Sequence, residues 1–180
     1  MALLKSPRAF GISLCVALLA ATSRALPDTP LEDAVKATYV YKFAPFVSWP
    51  APLAANEPFV ICNMGGDRVS ALLPGITAGQ RIDNHPIHVR AVAADGDLSA
   101  CRILYIAETA DPHSALEVLR GKPILTIGTA QGPYVIQLVT IARHVSFDID
   151  DRLASENGLR ISSKLLDLAR KVERAPGTRP

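Results

Sequence analysis

Apolar and polar positions change period several times along the chain, and each change marks an element. The first feature is an apolar run from Phe10 to Ala21, preceded by Lys5 and Arg8 and followed by Ser23-Arg24-Ala25. A run of about 12 residues is too short for a spanning helix, which takes roughly 20. A basic start, an apolar middle and a small-any-small end predict a secretory signal peptide over residues 1–25, cleaved after Ala25. Next, Asp28 or Thr29 ahead of Pro30 signals a helix start. Val35, Tyr39, Phe43 and Phe46 then follow at spacings of four, four and three, which predicts one helical stripe packed on the core. Pro45 should end or kink that helix, and Trp49-Pro50-Ala51-Pro52 should extend the chain away from it.

From Phe59 the period shortens. FVICN is a short β-branched run between Pro58 and Gly65-Gly66-Asp67, as a buried strand requires, and a brief helix is expected from Val69 to Leu73. Ile87, Val89 and Ala91 alternate with His88 and Arg90, the pattern of an edge or half-exposed strand. RILYIA at 102–107, a helix over 113–119 opened by Asp111-Pro112 and closed by Gly121, and ILTI at 124–127 form a strand-helix-strand unit. YVIQLVTIA at 134–142 and HVSFDI at 144–149 adjoin across Arg143 as a hairpin or bent pair. Asp150 or Asp151 can cap a short helix to Glu156, stopped by Asn157-Gly158, and Ser162 or Ser163 a final helix through Val172. The expectation is a single α/β domain over 26–173, with a frayed tail at 174–180. Its mixed sheet has parallel βαβ pairing in part, and helices pack on the sheet.

Composition agrees with one folded unit: 180 residues, 49% hydrophobic and 20% charged, outside the profile of a disordered chain. Losing Lys5, Arg8 and Arg24 with the signal leaves 16 of the 19 basic residues against 17 acidic ones. A near-neutral chain is not built to grip nucleic acid. Cys15 leaves with the signal. Cys62 and Cys101 remain, and an exported pair in an oxidising compartment reads first as one disulfide. Closing a loop of about 40 residues is worth roughly 3–4 kcal/mol in the chain-entropy account. No Cys-x-x-Cys pair points to thioredoxin-like chemistry.

Catalytic and metal-binding patterns are scarce. His85 and His88 stand three apart, so on a strand they face opposite sides, and no metal is expected there. Asp148, Asp150 and Asp151 interleave with Phe147 and Ile149, the wet face of a half-buried strand. Ser162-Ser163-Lys164 lacks the Ser-x-x-Lys spacing, no Gly-x-Ser-x-Gly occurs, and the serines are explained as helix caps. Gly65, Gly66 and Asp67 lie between a strand and a helix, where a small anion could sit. They lack the Gly-x-Gly-x-x-Gly spacing and any P-loop lysine, and such a segment is more often a plain tight turn. With no acid, base and nucleophile set and no cofactor motif, the expectation is an exported domain that is not an enzyme.

Four segments together resemble the YfiR family of periplasmic proteins: LEDAVKATYVYKFAPFVSWP at 31–50, FVICNMGGD at 59–67, CRILYIAE at 101–108 and FDIDDRLASENGLRISSKLLDLARKV at 147–172. The resemblance implies a regulator that binds the periplasmic region of an inner-membrane diguanylate cyclase and represses it, lowering cyclic di-GMP and biofilm formation. It also implies an outer-membrane lipoprotein partner that relieves repression, and a bridge between Cys62 and Cys101. Some members carry a second cysteine pair in the C-terminal half, which this chain lacks, so redox control resting on that pair is absent. Gly132-Pro133-Tyr134 and Asp150 also depart from the family pattern. Phe46 and Trp49, with Leu165 and Leu168 on the last helix, are candidates for the partner surface, and core packing is the competing explanation. The alternative function is a periplasmic small-ligand sensor, with Gly65, Gly66 and Asp67 cupping a metabolite at the carboxyl edge of the sheet. A near-neutral surface also permits a homodimer.

Overall fold

A computed structural model describes residues 29–111, 116–117 and 119–174. The signal stretch with its cleavage site, and most of the helix expected over 113–119, lie outside the described residues. The elements are α1 (Thr29–Lys42), β1 (Val47–Ser48), β2 (Phe59–Met64), α2 (Arg68–Thr77), β3 (Arg81–Ile82), β4 (His85–Val92), β5 (Ile103–Ile106) and β6 (Leu125–Gly128). They continue with β7 (Ile136–Ile141), β8 (His144–Asp150), α3 (Asp151–Glu156), β9 (Arg160–Ile161), α4 (Ser163–Leu168) and β10 (Lys171–Glu173).

Eight strands form one mixed sheet in the order β10-β8-β7-β6-β5-β2-β4-β3. Its middle, from β7 to β4, is parallel. β8 returns antiparallel to β7, and β3 is antiparallel to β4. This bears out the α/β reading. The all-apolar strands are buried on both faces, as parallel sheets demand. Along β2 and β5, Ile61, Ile103 and Tyr105 face the cluster that includes α1 and α2, while Cys62, Met64, Leu104 and Ile106 face a second cluster. Leu98, Leu119, Ile124 and Tyr134 complete that second cluster. The expected hairpin is β7–β8, turning through Ala142 and Arg143 at φ 47° and 67°. Two positive φ values match a type I′ turn, whose twist suits the flanking strands.

Three elements differ from the sequence pattern. The fully buried residues of α1 are Ala37, Val40 and Tyr41, and of the expected Val35-Tyr39-Phe43-Phe46 stripe Phe43 is core while Tyr39 and Phe46 are half-buried against it. Small Ala37 lets the helix approach the sheet, while Tyr39 and Phe43 pack toward its β8 end. There Tyr39 and Phe43 meet Phe147 of β8 at centroid distances of 6.1 and 5.0 Å. Secondly, α2 runs on to Thr77 through Pro74 instead of stopping at Leu73. The proline removes one helical donor, and buried Leu73 and Thr77, one turn apart on the packed face, hold the helix through it. Thirdly, α4 stops at Leu168 rather than Val172, and Lys171–Glu173 becomes an edge strand parallel to β8. The outer edge of β8 offers unpaired backbone groups, and pairing satisfies them.

Candidate functional site

Two of the four segments that carry the resemblance, near Trp49 and near Arg160, meet in space. Pro45 breaks α1 into a single 3-10 turn, Ala44–Phe46, after which Val47 is extended at φ −116°, ψ 135°. At the other end, α3 closes in a Schellman motif: the Leu159 N–H donates to the Ala154 carbonyl at 2.8 Å and the Gly158 N–H to that of Ser155 at 3.0 Å. Gly158 takes the left-handed φ of 73° that this cap requires. Leu159 and Ala154, the apolar pair of such a cap, are both fully buried. The chain emerging from each end then pairs antiparallel as β1 and β9, Val47 opposite Ile161 and Ser48 opposite Arg160. The Ser162 N–H extends the ladder by donating to the Phe46 carbonyl at 2.9 Å.

This junction leaves a cleft of about 280 Å³ between Trp49 and Pro50 on one side and Ser155, Gly158, Leu159 and Arg160 on the other. Phe46 and Trp49 are half-buried on the main core, and Trp49 stands edge-on to Phe59 at 5.5 Å. Leu165 is core, whereas Leu168 is 68% exposed, the most open large apolar side chain of the four candidates. The junction therefore brings Phe46 and Trp49 to the root of α4, whose far end exposes Leu168. Below the cleft, Asp150 caps α3 by accepting from the Leu153 N–H at 2.8 Å and pairs with Arg152 at 3.0 Å. Arg152 also reaches Glu156 at 2.7 Å. The roles of Leu159 and Arg160 were not singled out from sequence. The signal for them was present, because Asn157-Gly158 announces a cap, and a cap re-aims the residues that follow it.

Gly65, Gly66 and Asp67 sit where the connections leaving β2 and β5 run in opposite directions, the usual crevice for ligands in open α/β sheets. Here the 107–110 turn packs against the Gly65 side of that crevice. Gly65 is left-handed at φ 78°, and a Cβ on it would approach Ala110 Cβ to 2.9 Å. The Gly66 N–H donates to Thr109 Oγ1 at 3.2 Å. Both carboxylate oxygens of Asp67 are engaged: Oδ1 accepts from the Ser70 N–H at 2.7 Å, capping α2, and Oδ2 accepts from the Tyr105 hydroxyl at 2.6 Å. Burial first, and then the Asp67 carboxylate, push the Tyr105 hydroxyl above the usual tyrosine range. The proton is held more tightly in the folded state. The stability that neutral Tyr105 contributes is therefore complete below about pH 10, the unfolded value, and is lost as pH rises past it. We expect the urea midpoint to fall between pH 8 and pH 11, and to fall less in Tyr105→Phe.

Cys62 and Cys101 form a disulfide with Cα atoms 5.7 Å apart, joining β2 to the chain entering β5. The Arg90 guanidinium lies beside it, with Nη2 3.9 Å from Cys62 Sγ and 3.7 Å from Cys101 Sγ, and donates to the Asp97 carbonyl at 2.7 Å. His85 donates Nδ1–H to the Glu57 carbonyl at 2.7 Å. Among the described residues no group of three or more His, Cys, Asp or Glu is placed to hold a metal, and no helix is long and apolar enough to cross a membrane.

A family model described as YfiR/HmsC-like matches residues 33–170, which takes in both halves of the β1–β9 junction and the disulfide. The chain belongs to the YfiR/HmsC-like family. No curated protein matches the chain. YfiR/HmsC-like proteins are periplasmic regulators that act on diguanylate cyclases and are not enzymes.

Proposed function

We propose that this YfiR-like chain represses an inner-membrane diguanylate cyclase by binding its periplasmic region, and so lowers cyclic di-GMP and biofilm formation. The observation that supports this reading is the junction of β1 with β9, where two of the segments that carry the resemblance are joined, with Leu168 exposed at the end of the helix that follows. Repression of this kind needs no catalytic group. A protein that binds the inactive state of its partner more tightly than the active one shifts the equilibrium by that difference alone. An outer-membrane lipoprotein that competes for the same chain would release the cyclase. In this reading Phe46 and Trp49 set the floor of the contact, and Leu168 and Arg160 its rim.

Deleting the gene in the source bacterium is expected to raise intracellular cyclic di-GMP, and restoring the wild type to lower it again. Leu168→Glu, a change at an exposed side chain, should leave folding intact and weaken binding to the purified periplasmic region of the cyclase by about tenfold or more. It should also fail to restore repression. An unchanged cyclic di-GMP level on deletion would sink the regulator reading. Normal repression by Leu168→Glu would remove α4 from the surface.

A further inference from the structure

Trp49 has a second face. On the side away from the β1–β9 cleft it lines a separate cavity of about 300 Å³, at the lower end of the range for small-ligand sites. Leu53, Phe59 and Ile82 supply the other apolar walls, with Asp83, His85 and Arg102 as the charged or titratable residues of the lining. The cavity is roofed by the strap that follows Trp49. Pro50 and Pro52 restrict its backbone, the Ala54 N–H donates to Glu57 Oε2 at 2.9 Å, and Arg102 Nη1 donates to the Ala51 carbonyl at 2.9 Å. A strap held this way cannot easily collapse onto the apolar walls beneath it.

Two polar groups at this place are underused. The Trp49 indole N–H is buried and has no acceptor among the described residues, a state that folded proteins rarely leave uncompensated. Arg102 is half-buried, spends one nitrogen on a carbonyl, and takes part in none of the ion pairs among the described residues. A guanidinium carries five donors in a fork that matches a carboxylate. Asp83, the one acid of the lining, is exposed at the β3–β4 turn, where water solvates it. His85 already has Nδ1 committed to Glu57. The charge left to be met inside the roof is therefore positive.

We propose that this cavity binds a small carboxylate with an apolar body, its carboxylate on Arg102 and its body between Trp49, Leu53 and Phe59. The site stands independently of the cyclase reading. Trp49 is the only tryptophan in the chain, so its emission reports the site directly, and octanoate is a suitable probe because it is transparent where tryptophan absorbs and emits.

Titrating the purified chain with octanoate should change Trp49 emission saturably, with a midpoint at or below about 1 mM for a ligand of this size. Octan-1-ol, of the same length without the charge, should bind about tenfold more weakly or worse. Arg102→Gln should weaken octanoate by a similar factor, and Leu53→Phe, which fills the cavity, should abolish the change. Circular dichroism checks that both variants fold. Should Arg102→Gln unfold through loss of the strap contact, Leu53→Phe and the alcohol still decide. No saturable change by about 10 mM, equal binding of the alcohol, or full binding in Leu53→Phe would overturn the proposal. The last result would place octanoate in the cleft on the other side of Trp49. None of these results bears on cyclic di-GMP after gene deletion, so the two readings fail separately.

Discussion

Replacing Cys62 and Cys101 together by serine should lower the unfolding free energy by about 3–4 kcal/mol, a large part of the stability of a domain of this size. The bridge closes 39 residues of sequence, and that loop regains its freedom in the unfolded chain when the bond is lost. The position of the bond adds to its weight. Cys62 and Cys101 are 0% and 3% exposed, inside the cluster whose far side is built by Leu98, Leu119, Ile124 and Tyr134. All four lie in the connections between the described strands. Two serine hydroxyls placed there also need partners that the apolar surroundings do not provide. Urea unfolding of the wild type, the wild type in reductant, and the serine and alanine pairs gives the test. Reductant and the alanine pair should shift the midpoint alike and the serine pair further; a loss below about 1 kcal/mol would mean that the layer holds without the bridge.

Asp67→Ala should cost about 3 kcal/mol, the sum of a helix cap worth about 1 and a buried hydroxyl left without its acceptor at about 2. One carboxylate serves both the first turn of α2 and Tyr105, which is fully buried. Asp67→Asn keeps an acceptor for one of them and should cost less. In Tyr105→Phe the donor goes as well, so the double variant Asp67→Ala, Tyr105→Phe should be more stable than the two single losses added together. That non-additivity, read from urea midpoints at constant slope, separates a structural carboxylate from a ligand-binding one. A cost for Asp67→Ala under about 0.5 kcal/mol would return the Gly65-Gly66-Asp67 turn to candidacy as a ligand site.

The Gly65-Gly66-Asp67 turn shows how far local reasoning reaches. Its place between a strand and a helix was legible; that Asp67 caps the helix was not singled out. That Thr109 and Ala110 pack against Gly65 was not legible, because the 107–110 turn arrives from β5, whose pairing with β2 no local pattern reveals. The same limit explains the tail. Ser162 as a helix start was readable from its side chain, which accepts from the Leu165 N–H, but Lys171–Glu173 became a strand only because the β8 edge lay alongside. In α1 the large side chains drew attention to one stripe, and contact with both the sheet and Phe147 divided the work between two.

Signals that depend on residues within a few positions of each other were therefore sufficient for the α/β class, the β7–β8 hairpin and the helix starts near Asp150 and Ser162, while the pairing of Cys62 with Cys101 followed from the cysteine count and the resemblance. Periodicity, turn chemistry and residue count act locally or exclude alternatives outright. The strand order, the β1–β9 junction, the packing of the 107–110 turn on Gly65 and the cavity beneath the Trp49 strap were decided by tertiary structure. Each depends on which surfaces meet once apolar area is buried, and burial is blind to distance along the chain.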